Sequence, residues 1–303
     1  MTVITKPTFA VDGWTANTVD ANGVDWFCNG MEGWFGPVGV RSFDIDRPAS
    51  NGSYSSPSLR TPRVIALSGL CTAPSSDEIY AAMDVFNSLL SDGQLHELVV
   101  EEPTRSFRTL VKLGSNPQLG ELNARQFDWQ LVLVAPDPRK YSAVEHAAPI
   151  GLGVPPSGGV LWNGSAGSTG VEWNGPSNNS GVVWQADTGV PGIVTVTNNG
   201  TADAPLSFAF ETASGSVVLP GVRNVQTNQK LTYNGTITPG QDLVISSSTE
   251  GGSVTLDGVN MGPALSSAQW FSIPKQSSVD LEFTSAGYEP SATMTVRWRD
   301  TYI

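Results

Sequence analysis

Arg63-Val-Ile-Ala-Leu-Ser-Gly69, followed by Ser75-Ser-Asp-Glu-Ile-Tyr-Ala-Ala-Met-Asp-Val-Phe-Asn-Ser-Leu-Leu-Ser-Asp-Gly93, is the stretch around which this chain is organised. The first run alternates, as a half-buried strand does. In the second, Ile79, Ala82, Met83, Phe86, Leu89 and Leu90 fall three and four apart, which predicts one apolar helical stripe. Ser75 with Glu78 reads as a capping box, and Gly93 suits a left-handed C-terminal cap. Beyond the helix the period returns to two: Phe107, Thr109, Val111 and Leu113, then Phe127, Trp129, Leu131 and Leu133. Pro136-Asp-Pro138 ends the run, because proline cannot donate to a sheet ladder. One helix covering a face of a small antiparallel sheet satisfies this pattern.

A chain of 303 residues can bury two cores. Only 15% of it is charged, and its 32 Gly and 21 Pro favour many short strands over helices, so the expected class is mainly β. The net charge of −12 splits into −6 on either side of residues 149/150. With no basic run, a phosphate-gripping face is excluded, and DNA is not expected as a specifically bound partner. The first seven residues lack the apolar core of a signal peptide, and no stretch approaches the length of a membrane span. Synthesis and folding in a cytoplasm, without membrane insertion, is the expectation. Cys28 and Cys71 could pair, but two reduced, buried thiols are the better reading there.

Further apolar runs, Val24–Phe27 and Val40–Ile45, read as strands, and the polar segment Asp46–Pro62, with Tyr54 its only aromatic, reads as a long loop. The composition shifts near residue 145: 21 of the 32 glycines fall between Gly151 and Gly287. This predicts a first domain over 1–146 with its helix at about 76–91, a linker at 147–159 and a second domain over 160–303. The second opens with a repeat in which Trp162, Trp173 and Trp184 are spaced by 11. Regular strands with Gly turns follow, from Ile193 to Arg299, as in a jelly-roll β-sandwich.

Chemistry finds little purchase. His96 and His146 share no motif with the cysteines, Asp44-Ile-Asp46 lacks the later ligands of a calcium loop, and no nucleophile elbow, phosphate loop or dinucleotide fingerprint occurs. Asp280 and Glu282 alternate with Val279, Leu281 and Phe283, the pattern of a solvent face and not of a glycosidase pair. No catalytic residue, metal site or cofactor is expected. The three tryptophans, with Asn163 and Asn174 beside them, could stack on sugar rings, although large aromatics more often pack in cores or interfaces.

Taken in order, Gly52-Ser-Tyr54, Arg63–Gly69, the helix Ser76–Leu90, Phe127–Tyr141, Ile237-Thr-Pro-Gly-Gln-Asp-Leu-Val-Ile245, Val254-Thr-Leu-Asp-Gly258 and Met294-Thr-Val-Arg-Trp-Arg-Asp300 resemble the distal tail (minor tail) proteins of long-tailed phages, in particular those of actinobacteria. The resemblance implies a tail-tube-like split barrel or sandwich with one helix, followed by a galectin-like sandwich. It implies a homohexameric ring at the distal end of the virion tail, joining the tube protein to the tip hub and enclosing a channel for the tape-measure protein and DNA. An acidic wall would repel passing phosphates. On this reading Trp26, Phe43 and Tyr54 are the expected inter-subunit contacts. The alternative is a carbohydrate-binding module attaching to host cell-wall polysaccharide through Trp162, Trp173 and Trp184.

Overall fold

The computed structural model describes residues 6–154, 190–248, 251–262 and 264–303. The expected helix forms over Ser76–Ser88, and its cap is the expected one: Ser75 accepts the Glu78 N–H through its side chain. Ile79, Ala82, Phe86, Leu89 and Leu90 are buried, with Met83 packed at their edge. The C-terminal cap differs from expectation. The helix ends before Gly93, and the buried Leu90 takes the left-handed conformation (φ 55°), its N–H held by Asp12 Oδ2 at 2.9 Å. Burial of a large apolar side chain and one charged acceptor outweigh the steric preference for glycine.

The helix covers a strongly curved antiparallel sheet. Its order is Trp14–Ala16, Thr8–Val11, His96–Glu102, Arg105–Leu113, Gln126–Ala135, Arg63–Thr72 and Asp25–Glu32. The long ladder joins Arg63–Thr72 to Gln126–Ala135 in full register, from Ala135 opposite Arg63 to Gln126 opposite Thr72. The two ends approach one another: Asn17 N donates to Trp26 O at 2.7 Å and Trp26 N to Thr18 O at 3.0 Å. The product is the expected split barrel. Its core is aromatic, with Trp14 edge-on to Trp26, Phe86 and Trp129 at centroid distances of 5.7, 5.6 and 5.2 Å.

The second half is a sandwich of two antiparallel sheets. One runs His146–Gly151, Ala292–Trp298, Leu206–Thr212, Leu243–Ser248, Gly251–Leu256 and Val259–Asn260; the other runs Ile193–Asn198, Ser277–Thr284, Gly221–Asn224, Lys230–Tyr233 and Leu265–Ala268. Alternate residues such as Phe208, Phe210, Leu281, Phe283, Met294 and Val296 fill the space between them. The expected linker starts too early: residues 147–151 belong to an edge strand paired with Ala292–Trp298. Pro149 disguised it, and an edge is where a strand tolerates proline.

The halves share elements. Thr301–Tyr302 pairs back onto Lys140–Ser142 in the first sheet, and Tyr302 packs edge-on against Phe107 at 5.2 Å. Arg299 donates to the carbonyls of Ser142 and Ala143 and pairs with Glu145, while His146 stacks on Trp298 at 5.3 Å.

Candidate assembly site

Between Asp25–Glu32 and Arg63–Thr72 the chain leaves the barrel and returns as an arm. Val40–Arg41 pairs with Leu59–Arg60 and Ile45–Asp46 with Ser53–Tyr54, so the expected strand at 40–45 and loop at 46–62 are two sides of one hairpin. Ser56 clips the sides together, its Oγ accepting the Phe43 N–H at 3.0 Å and its N–H donating to Asp44 Oδ1 at 2.8 Å. At the turn, Arg47 N donates to Gly52 O at 3.0 Å, and Gly52 has a φ of 91° that favours glycine. No residue from 40 to 60 is buried. Phe43 and Tyr54 are 64% and 62% exposed, with Val40, Ile45 and Leu59 exposed beside them. Arg41 lies over the Phe43 ring and Arg47 over Tyr54, at 5.9 and 5.3 Å.

The root of the arm, by contrast, is locked. Trp34 has no exposed surface, and its indole N–H donates to Glu102 Oε1 at 3.0 Å. Arg63, 2% exposed, donates to Gly33 O (2.7 Å), Trp34 O (3.3 Å), Gly36 O (3.2 Å) and Pro138 O (2.9 Å). Lys140 adds a second buried cation, donating to Trp34 O at 3.3 Å and lying 4.9 Å from the Trp34 ring centre. Burial pushes the Lys140 ammonium down to about 8, helped by the Arg63 charge and opposed by Glu102. Gly33 is in the left-handed region (φ +81°), and a Cβ there would sit 1.8 Å from Val64 O. These contacts fix the direction in which the arm leaves the barrel.

The expected contact residues separate by burial. Phe43 and Tyr54 lie exposed on the arm. Trp26, 3% exposed, stacks on Phe86 at 5.7 Å inside the barrel, so its expected role as an exposed contact is corrected to a core one. The period-2 rule put Trp26 on a strand but could not say which face the helix covers. Trp162, Trp173 and Trp184 lie outside the described residues. The sequence reading missed Trp34, Arg63 and Lys140. A cation opening an apolar strand, as Arg63 does, was the available signal, since charges are rarely buried unpaired. Cys28 and Cys71 are buried free thiols on neighbouring strands, and burial pushes Cys71 up to about 12.

No protein-family model matches the chain, and no curated protein shows significant similarity to it in sequence. In fold it is similar to the Dit protein of phage SPP1, described as a paradigm of the hub adsorption apparatus in phages that infect Gram-positive bacteria. The TM-score is 0.62 at 13% identity, over 99% of this chain and 100% of that one. It is also similar to a chain of the phage P2 baseplate in its activated, calcium-containing conformation, with a TM-score of 0.52 at 10% identity, covering 97% and 98% of the two chains. The chain therefore has the mainly β fold of these proteins, from its barrel through its sandwich.

Proposed function

We propose that this chain is a structural protein of a phage tail. It forms a ring, six copies in the reading favoured here, at the distal end of the tail. The ring joins the tail tube to the tip hub and surrounds the channel for the tape-measure protein and DNA. It performs no catalysis. The observation that carries the proposal is the arm: a hairpin held by a buried Trp–Arg–Lys lock projects with Val40, Phe43, Ile45, Tyr54 and Leu59 uncovered among the described residues. A monomer gains nothing from fixing such a projection, whereas an assembly does. The likeness to hub and baseplate proteins, running over both halves of the chain, supports the same reading. The acidic balance suits a wall past which DNA moves without being held. Light scattering on the purified chain, with negative-stain images of the same fractions, tests the proposal. Six-membered rings with a central hole support it, and a chain that stays monomeric at every concentration, alone or with tube protein, refutes it.

A further inference from the structure

The arm leaves the barrel where Arg63 begins its strand; the helix begins just past the other end of that strand, after Thr72. Ten residues of strand separate these ends by roughly 30 Å. Beside the helix at the far end lies a groove of about 240 Å³, walled by Trp14, Trp26, Ala81 and Val85 and edged by Asp20 and Glu78. Two of its lining residues carry a buried polar atom without a hydrogen-bond partner among the described residues: the Trp14 indole N–H and Glu78 Oε2. An unpaired donor and an unpaired carboxylate oxygen in one groove are costly unless a ligand satisfies them. The surroundings are mostly acidic, with Lys6, over the Phe27 ring, at their margin. Residues 7–27 and 76–92 hold Asp12, Asp20, Asp25, Asp77, Glu78, Asp84 and Asp92 and no Lys or Arg. The arm, in a chain of net charge −12, carries Arg41, Arg47 and Arg60 against Asp44 and Asp46.

We propose that the groove receives the arm of a second copy of this chain, with Tyr54 as the inserted side chain and Arg47 facing Asp20 and Glu78. The inference rests on the self-assembly reading above and names its contact. A phenol fits what the groove lacks: its hydroxyl accepts from the Trp14 N–H and donates to Glu78, while its ring lies on Ala81 and Val85. Arg47 already sits over the Tyr54 ring, so cation and ring arrive as one unit at an acidic rim. Because arm and groove are different patches at opposite ends of one strand, the contact is head-to-tail. Contacts of that kind propagate from copy to copy and close into a ring when the rotation allows.

The test uses the full chain carrying Tyr54→Cys and Val85→Cys together, oxidised mildly; the two native thiols are buried. A ladder of disulfide-linked multimers is expected, and a control pairing Tyr54→Cys with the distant exposed Val259→Cys should give none. In parallel, Arg47→Glu and Val85→Arg should each weaken association at least tenfold. Mixing the two should restore one-to-one dimers and nothing larger, since each variant keeps one intact half of the contact. Arm variants that lower the mass without any Tyr54–Val85 cross-link would overturn the groove and leave self-assembly standing. A multimer whose mass neither variant changes would likewise overturn the arm-in-groove contact, and a wild-type chain that stays monomeric at every concentration would overturn self-assembly as well.

Discussion

The arm at 40–60 and the ladder of Arg63–Thr72 with Gln126–Ala135 are both antiparallel pairs in the same half of the molecule, and both carry large apolar side chains. In the ladder, Ile65, Leu67, Phe127, Trp129, Leu131 and Leu133 are buried in the barrel core. In the arm, Val40, Phe43, Ile45, Tyr54 and Leu59 are covered by nothing. The difference lies in the third element: a two-stranded pair cannot bury its own side chains and needs another surface. The ladder finds that surface within the chain. On the proposed assembly, the arm finds it in another copy.

Replacing an aromatic on the buried side of this contrast gives the largest expected effect. Trp26→Asp puts a charge among Trp14, Phe86 and Phe127 and should abolish soluble folded protein, since truncating a buried Trp alone costs about 3–5 kcal/mol. Expression with far-UV circular dichroism checks it. Next comes the hinge between the two regions. Gly33→Ala forces a Cβ onto Val64 O in a backbone conformation that disfavours side chains, which should cost about 1–3 kcal/mol. Limited proteolysis should then cut within 36–62 faster than in the wild type.

The lock at the arm's root makes a pH prediction of similar size. Lys140 titrates at about 8 in the folded chain against 10.5 unfolded. Between those values the unfolded chain binds more protons, so this group makes the protein more stable as pH rises from 8 to 10.5 and less stable as pH falls through 8. Cys71 and Tyr141, both raised, act in the opposite sense at alkaline pH. Urea melts of wild type and Lys140→Met, subtracted, isolate the lysine. The difference should shift in favour of the wild type by up to about 3 kcal/mol across that window, at about 1.4 kcal/mol per pH unit. The smallest effect on stability should come from the arm itself: Phe43→Asp should change the unfolding free energy by no more than about 0.5 kcal/mol.

Much of this was legible in the residues. The helix, its Ser75 cap and the Phe107–Leu113 and Phe127–Leu133 strands followed from periods of 3.6 and 2, which burial against one partner enforces. The arm was not legible as a hairpin because its strands are two residues long, too short for any period, and its composition is that of a loop. Trp26 and Phe43 looked alike because both sit in short apolar runs; only the tertiary position of the helix separates them. The root lock was hidden for the same reason, since Trp34, Arg63 and Lys140 meet across 106 residues of chain.

The most direct test of the account is the solution mass, by light scattering at matched concentrations, of the wild-type chain and Phe43→Asp. The account predicts a multimer of the wild type and a smaller, fully folded species for Phe43→Asp, with the far-UV circular dichroism of the wild type. An equal mass for the two proteins, or a Phe43→Asp chain that fails to fold, would contradict the claim that the arm is a surface kept for a second copy.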